Sequence, residues 1–260
     1  RKTKNIDFEK IPEIPYSHTL FLTHAAAFDN AGVCASIRHF FKARAISNLN
    51  DEWETFRWNS VIALEIENRK QELLDFLSHF NLKYSDVEIL REGNNREPSV
   101  PPYEKITFTK DYWINHKKKS LKLNLKNNES SGTQKLFDLA GLILRAFTFG
   151  YNGLIIIDEI DSNFHPSLLI KIINLFNSKE HNKSDVQLLF TSHDTNLMSP
   201  SIMRRDQFYF TEKGEDESTR LYSLADLKGI RNDADFARQY LAGFYGALPV
   251  LDEISNESFK

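Results

Sequence analysis

The feature that most constrains the fold is a run of four apolar residues, Leu154 to Ile157, that ends in two adjacent acids, Asp158 and Glu159. A short, uniformly apolar run predicts a β-strand buried on both faces, as in a parallel sheet. Open α/β sheets bind their ligands at the carboxyl ends of the strands, which is where these two acids fall. The run therefore predicts an α/β fold with two carboxylates at the ligand-binding edge. Alternatively, both acids turn outward into a solvated loop.

Helices and strands alternate through the second half of the chain. Apolar spacing predicts two helices and two further buried strands there: Gln134–Phe149, Ser167–Phe176 opened by Pro166, Gln187–Phe190 and Gln207–Phe210. This order predicts a parallel sheet with right-handed crossovers. Near the C-terminus, Tyr240 to Pro249 has the pattern of a helix end broken by Gly243 and Pro249.

The first half of the chain has a different pattern of predicted elements and lacks a motif rich in carboxylates. It predicts a buried strand leading into a helix, a long amphipathic helix from Asp51, a polar loop, and a β-hairpin joined across Asn115 to Lys119. The corresponding segments are Phe21–Phe41, Asp51–Leu77, Glu92–Pro102 and the strands Ile106–Trp113 and Leu121–Leu125. We therefore divide the chain into a helical and hairpin region (1–126), an α/β lobe (127–249) and a tail (250–260).

Composition narrows the functional classes. The net charge of −3 gives no overall attraction to nucleic acid, so DNA binding is possible but unsupported. Cys34 is the one cysteine, which excludes an internal disulfide and predicts a reducing, cytoplasmic setting. No apolar run is long enough to span a bilayer, and no secretory signal opens the chain. Because it begins abruptly at Arg1 without Met, we expect the chain to be a fragment.

Small polar residues precede the helix that begins near Gln134. Ser131 and Gln134 match a capping box, which needs no ligand. The alternative is an anion site, because hydroxyls, Gly132 and free backbone N–H groups at a helix start attract phosphate. The sequence alone leaves both interpretations open.

A histidine, His193, follows the strand Gln187–Phe190 in the run Thr191-Ser192-His193-Asp194. A lone histidine at a strand end is more often structural than catalytic. Asp161 and His165 lie shortly after Glu159, so a metal-ligand cluster built from these side chains remains a competing interpretation.

The order of these elements is more specific than any one of them. The chain resembles the C-terminal lobe of ABC-type ATPase heads, as in SMC-like and DNA-repair ATPases. The resemblance rests on the order of six elements: a serine–glycine loop, a helix, an apolar strand that ends in Asp-Glu, a further Asp, a second helix, and a strand followed by His. The resemblance implies that Ser130 to Gln134 is a variant signature loop, with Thr133 where the family usually has glycine. It also implies that Asp158 and Glu159 form the Walker B motif, Asp161 the D-loop, and His193 the switch histidine.

The resemblance narrows to one bacterial family, the stand-alone ATP-binding proteins of abortive infection and restriction-linked phage defence. Four segments carry it: Glu129–Lys135, Phe190–Leu197, Arg204–Gln207 and Tyr240–Pro249. The family implies a P-loop NTPase-like fold, ATP and Mg²⁺ as ligands, an ATP-dependent head-to-tail dimer, and an effector nuclease or toxin as a partner.

The resemblance implies a role for each site residue. Asp158 would hold Mg²⁺, Glu159 would act as general base on the attacking water, and His193 would sense the γ-phosphate. Ser131 and the Gly132 amide would bind that phosphate on the opposite subunit, and Asp161 would couple the two sites.

One departure separates the chain from that family. A phosphate-cradling loop needs Gly-x-x-x-x-Gly-Lys-Ser/Thr, and none of the ten glycines has this setting. We expect the loop to lie upstream of Arg1, so that the chain holds half of a composite site.

Three other functions compete with ATP hydrolysis. A DExD-box helicase fits poorly, because the serine loop precedes the Asp158–Asp161 box and no second lobe follows. The other two are a metal-dependent nuclease using Asp158, Glu159, Asp161 and His165, and a non-hydrolysing nucleotide sensor that recruits a toxin or nuclease.

Overall fold

The computed structural model describes residues 32–42, 45–48, 53–90, 101, 103–149, 153–162, 164–214, 216 and 218–248. The α-helices within these ranges are α1 (Val33–Lys42), α2 (Trp53–Val61), α3 (Lys70–His79), α4 (Ser131–Phe149), α5 (Pro166–Asn177) and α6 (Phe236–Leu241). The strands are β1 (Ala45–Asn48), β2 (Asp86–Ile89), β3 (Ile106–Ile114), β4 (Lys117–Asn124), β5 (Leu154–Asp158), β6 (Gln187–Phe190), β7 (Tyr209–Lys213) and β8 (Thr219–Ser223).

The chain divides into two compact units. The first runs to Phe164 and includes Leu175–Thr191; the second contains His165–Asn174 and the residues from Ser192 onward. The division therefore falls within α5. The predicted boundary between residues 126 and 127 stays a prediction, and the one between 249 and 250 lies outside the described residues.

A three-stranded parallel sheet with the order β1-β5-β6 lies in the first unit. The parallel pairing of β5 with β6 confirms the relation predicted for these two strands. Ile155 and Ile157 are buried, whereas Leu154 and Ile156 are half-buried. The prediction that β6 is buried was wrong: Leu189 is 53% exposed, and Gln187 on the same face of the strand is exposed too, so this face of β6 is not covered.

The helix α4 packs closely against α2 in the same unit. A Cβ on Gly141 would lie 2.2 Å from the backbone nitrogen of Ser60, so only glycine permits this approach. The Ser60 hydroxyl donates to the carbonyl of Phe137 at 2.6 Å and accepts from the N–H of Gly141 at 2.9 Å. Buried serine thus joins two helix backbones where they cross.

The single long helix predicted from Asp51 was wrong, because the chain breaks after a π-helical turn at Ile62–Ile66. Asn68 has a φ of 53°, which ends the regular helix before α3 begins. Here Arg69 contacts Glu72 at 2.6 Å and Arg145 of α4 contacts Glu67 at 2.9 Å. Apolar spacing continues through this break, which explains the error.

An antiparallel sheet with the order β2-β3-β4 also belongs to the first unit. The predicted hairpin is confirmed, but its turn is shorter than predicted and consists of Asn115 and His116, both at positive φ. A two-residue turn of this kind matches the twist of paired strands. Lys117 to Lys119 therefore lie in β4 rather than in the turn.

The second unit contains the antiparallel pair β7–β8 and the short helix α6. The prediction of a parallel strand at Gln207–Phe210 was wrong, because the strand begins at Tyr209 and pairs with β8 instead. Its core is mostly aromatic and is made of Phe208, Phe210, Tyr222, Leu224, Phe236 and Tyr245.

Three other predictions have mixed outcomes. The helix in Phe21–Phe41 is present as α1 from Val33, whereas the preceding strand and most of the loop Glu92–Pro102 lie outside the described residues. The helix opened by Pro166 is confirmed as α5. A helix end before Gly243, which has a φ of 83°, is also confirmed, and Pro249 lies outside the described residues.

Candidate functional site

The two carboxylates of the predicted Walker B pair follow the central strand of the parallel sheet. Asp158 is the last residue of β5 and its side chain is exposed; Glu159 comes next and is half-buried. Because β1 and β6 run parallel to β5, all three strands present their carboxyl ends at this edge. The structure thus places both acids where open α/β sheets bind ligands.

The hydroxyl of Thr191 joins the two acids. It donates to the carboxylate of Asp158 and accepts from the backbone N–H of Glu159 at 2.7 Å. Thr191 reaches this position because its own backbone N–H donates to the carbonyl of Ile157 at 3.1 Å, continuing the pairing of β5 with β6. One side chain therefore fixes the direction of the Asp158 carboxylate and the backbone from which Glu159 projects.

Glu159 has a φ of 49°, in the left-handed region that residues with a Cβ rarely occupy. Such a conformation costs on the order of 1–3 kcal/mol and persists only where the surroundings enforce it. The carbonyl of Thr191 accepts from the N–H of Ile160 at 3.0 Å, and Ile160 is fully buried. These contacts hold Glu159 in its left-handed conformation.

The turn after Glu159 brings Asp161 and Ser162 close to α4. The N–H of Ser162 donates to the carbonyl of Glu159 at 2.9 Å, which closes the turn, and Asp161 within it is half-buried. The ammonium of Lys135, in the second turn of α4, donates to the carbonyl and hydroxyl oxygens of Ser162 at 3.3 and 3.2 Å. Burial lowers the pKa of Lys135. A direct contact thus links the predicted signature helix to the turn that carries Glu159.

The start of α4 corrects the predicted capping box. Ser130, not Ser131, caps the helix: its hydroxyl accepts from the N–H of Thr133 at 3.2 Å. The amide of Gln134 donates to the carbonyl of Leu125 at 3.0 Å instead of reaching back to the cap. Ser131 occupies the first helical position with an exposed side chain. The capping role and the predicted phosphate-binding role therefore belong to neighbouring serines.

This division predicts different effects of two alanine substitutions on stability. Ser130→Ala removes the cap and is expected to lower the free energy of unfolding by about 1 kcal/mol. Ser131→Ala removes no capping bond and is expected to change it by less than about 0.5 kcal/mol. Urea unfolding of both variants beside the parent chain measures the difference. Equal losses in the two variants would contradict the assignment of Ser130 as the cap.

A buried charged cluster lies one turn further along α4. The carboxylate of Asp138 is fully buried and accepts from Arg57 at 3.3 Å and from the Tyr103 hydroxyl at 2.5 Å. The guanidinium of Arg57 also stacks on the Tyr103 ring, 3.7 Å from its centroid. Burial raises the pKa of Asp138 to about 7, although Arg57 and Tyr103 act in the opposite direction. These bonds anchor α4 to α2 behind the predicted signature loop.

The two histidines of the sequence prediction, His165 and His193, belong to the second unit. His193 is exposed, and the ring of His165 bonds to the Ser167 hydroxyl at 2.8 Å, next to the start of α5. Among the described residues, no group of three His, Cys, Asp or Glu side chains is arranged to hold a metal ion. The structure thus offers the competing nuclease interpretation no preformed metal centre within those residues.

Residues 32–199, more than half of the chain, match the model of a family described as "AAA domain, putative AbiEii toxin, Type IV TA system". The chain belongs to this family. The AAA domain is a nucleotide-binding ATPase domain of P-loop NTPase-like fold, linked here to abortive infection, as the sequence resemblance implied in its coarser form. No curated protein matches the chain.

The AAA domain match spans every predicted site residue from Ser130 to His193, but the individual roles of those residues stay predictions. The cytoplasmic location also stays a prediction. None of the described helices has the length and apolar character needed to cross a membrane.

Sequence reasoning missed the roles of Thr191 and Lys135. Both residues lie in segments that carried the family resemblance. Neither belongs to a sequence motif from which its contacts could be predicted. The available signal for Thr191 was a threonine directly after a strand predicted to lie next to β5, since parallel strands end at the same edge of the sheet.

Proposed function

We propose that this chain forms the catalytic half of an ABC-type ATPase head that dimerises around ATP and hydrolyses it. The observation that carries the proposal is the Thr191 hydroxyl bridging Asp158 and Glu159 at the carboxyl edge of the parallel sheet. Family membership supports the ATPase part of the proposal, and its link to abortive infection supports a role as motor or sensor in an anti-phage system.

Asp158 is the residue that fits Mg²⁺. One of its carboxylate oxygens is engaged by Thr191, and its side chain is exposed at the edge of the sheet. In nucleotide sites Mg²⁺ needs only one or two carboxylates, because phosphates and water complete its coordination. Mg²⁺ supplies charge neutralisation at the β and γ oxygens when bound.

Glu159 acts as general base. The proton it accepts comes from the water that attacks the γ-phosphate, and its half-buried position favours a directed carboxylate over a freely moving one. The enforced left-handed backbone, and the bond that the Glu159 N–H donates to the Thr191 hydroxyl, aim the side chain away from the path that a regular strand or helix would give it.

Ser131 and the backbone at the start of α4 bind the γ-phosphate of the partner subunit. A helix start has N–H groups without helical acceptors and a favourable field for anions. Ser130 occupies the cap, so the exposed Ser131 hydroxyl and the Gly132 amide are the groups that meet the phosphate. Lys135 then transmits the occupancy of this site to the turn that carries Asp161 and Glu159.

The remaining roles follow from the family resemblance. His193 contacts the γ-phosphate, and Asp161 couples the two sites of the dimer. A separate effector, a nuclease or toxin, is the partner that the ATP-bound dimer controls.

Replacing Thr191 by valine tests the bridge at nearly constant volume. Thr191→Val in the full-length protein is expected to lower ATP hydrolysis by about 10–100-fold, because both acids lose the group that orients them. Steady-state phosphate release at saturating Mg-ATP measures the effect.

Thr191→Ser is the matched control, since it keeps the hydroxyl and removes only a methyl group. It is expected to stay within about threefold of the parent rate. Hydrolysis at the parent rate in Thr191→Val would contradict the proposed arrangement. Equal losses in both variants would assign the effect to packing rather than to the hydroxyl.

A further inference from the structure

The outer half of the β3–β4 hairpin projects as a two-stranded arm. The strand β2 pairs only with Ile106 to Thr109 of β3, so within the described part of the chain residues 110–122, here called the arm, form a ribbon of two strands. Along β3 the side chains change from buried near Ile106 to mostly exposed from Lys110 onward. The arm therefore has a surface that the described residues of its own chain do not cover.

Charge is unevenly distributed between the two faces of the arm. Its five lysines against one aspartate give a formal charge of +4, whereas the whole chain carries −3. On one face, Lys118 contacts Asp111 at 2.9 Å and Lys122 contacts Glu88 at 2.8 Å. On the other face, the side chains of Lys110, Lys117 and Lys119 form no ion pair or hydrogen bond with any described residue.

The face with unpaired lysines, here called the lysine face, has a regular pattern. Its three successive cross-strand pairs are Lys110 with Leu121, Tyr112 with Lys119, and Ile114 with Lys117. Each pair joins one lysine to one exposed apolar side chain: Leu121, Tyr112 and Ile114 are 49%, 38% and 45% exposed. Successive pairs lie about 7 Å apart along the ribbon.

We propose that the arm enters the major groove of B-form DNA with its lysine face toward the bases. A repeated cationic strip matches a repeated polyanion better than it matches a single acidic cluster on a protein. The major groove is about 12 Å wide and admits a two-stranded ribbon, whereas the corresponding groove of A-form RNA is too narrow. Lysine ammonium groups donate to guanine or phosphate oxygens, and the apolar side chains contact thymine methyl groups.

Lysines on an edge strand also have a purely structural use. They keep strands of different chains from pairing, and among the described strands β4 lies at an edge of its sheet. That use requires charge of either sign, while DNA binding requires positive charge on the lysine face. Replacing these lysines by glutamate therefore distinguishes the two explanations, because it would preserve the protection of the edge strand and remove DNA binding.

Fluorescence anisotropy with a short labelled DNA duplex tests the proposal in the full-length protein without nucleotide. Lys117→Gln/Lys119→Gln is expected to weaken binding about tenfold and to reduce the slope of log K against log salt by about 1.8. Lys118→Gln/Lys122→Gln makes the same change in net charge on the opposite face of the same strand, and is expected to change affinity by less than about twofold. Lys117→Glu/Lys119→Glu is expected to remove measurable binding while the melting temperature stays close to that of the parent.

Several results would overturn the proposal. They are the absence of duplex binding by the parent protein at about 50 mM salt, equal weakening by the two glutamine pairs, and unchanged affinity after charge reversal. Tighter binding to single-stranded DNA or to duplex RNA would also overturn it. So would displacement of the duplex by poly-glutamate at equal charge concentration, which would assign the arm to an acidic protein.

Discussion

Glu159→Gln leaves Mg-ATP binding intact in the full-length protein and lowers hydrolysis by about 10²–10⁴-fold, the range that a general base contributes. Glutamine keeps the size of the side chain but cannot accept the proton of the attacking water. In the proposed site, binding of the phosphates does not require this group. Calorimetric ATP affinity and steady-state phosphate release, measured on the same preparation, separate the two effects.

A glutamine at an exposed glutamate controls for the loss of a charge. Glu180 lies in a turn of the first unit, and Glu180→Gln is expected to leave both affinity and rate unchanged. If Glu159→Gln hydrolyses ATP at the parent rate, Glu159 is not the base. If it loses ATP affinity as well, the carboxylate contributes to binding rather than to the chemical step alone.

Ser131→Arg abolishes ATP-dependent dimerisation in the full-length protein. In the proposed dimer, arginine at this exposed first helical position would occupy the place of the partner's γ-phosphate, because its long side chain would keep a phosphate from the N–H groups of α4. The fold tolerates the change because Ser130 holds the cap. Light scattering with and without Mg-ATP, together with thermal melting, measures dimerisation and folding separately.

Mixing two inactive variants tests whether the two subunits share each ATP site. Ser131→Arg is combined with a variant that is defective in the phosphate-cradling loop. A mixed dimer holds one doubly damaged site and one intact composite site, so partial recovery of ATPase activity is expected. Normal ATP-dependent dimerisation by Ser131→Arg would contradict the assignment of the signature loop.

The strands and helices that frame the site could be predicted from local sequence. The apolar run Leu154–Ile157 identified β5, and apolar spacing identified α4 and α5, because burial imposes these patterns directly on the residues. The two acids were located at the end of β5 for the same reason. Their partner Thr191 was not, because it reaches Asp158 only through the pairing of Ile157 with Phe190. The register in which two distant strands pair cannot be predicted from the sequence of either strand alone.

The errors have comparable causes. Apolar spacing continued across the break between α2 and α3, where Asn68 and the ion pairs of Glu67 and Arg69 decide the course of the backbone. The strand β7 was assigned to a parallel sheet from element order, but its partner β8 follows within a few residues and forms a hairpin with it. At the start of α4, the helix cap was predicted one residue too late, at Ser131, whereas Ser130 caps the helix and Ser131 is exposed.

Specific ATPase activity across a range of protein concentrations is the measurement that tests the central claim most directly. A head that completes its site only in the dimer is expected to hydrolyse Mg-ATP with a specific activity that rises with concentration and then levels off. The rise is expected to coincide with ATP-dependent dimer formation in light scattering. A specific activity that stays constant while the protein remains monomeric, or no Mg-dependent hydrolysis at any concentration, would contradict the account.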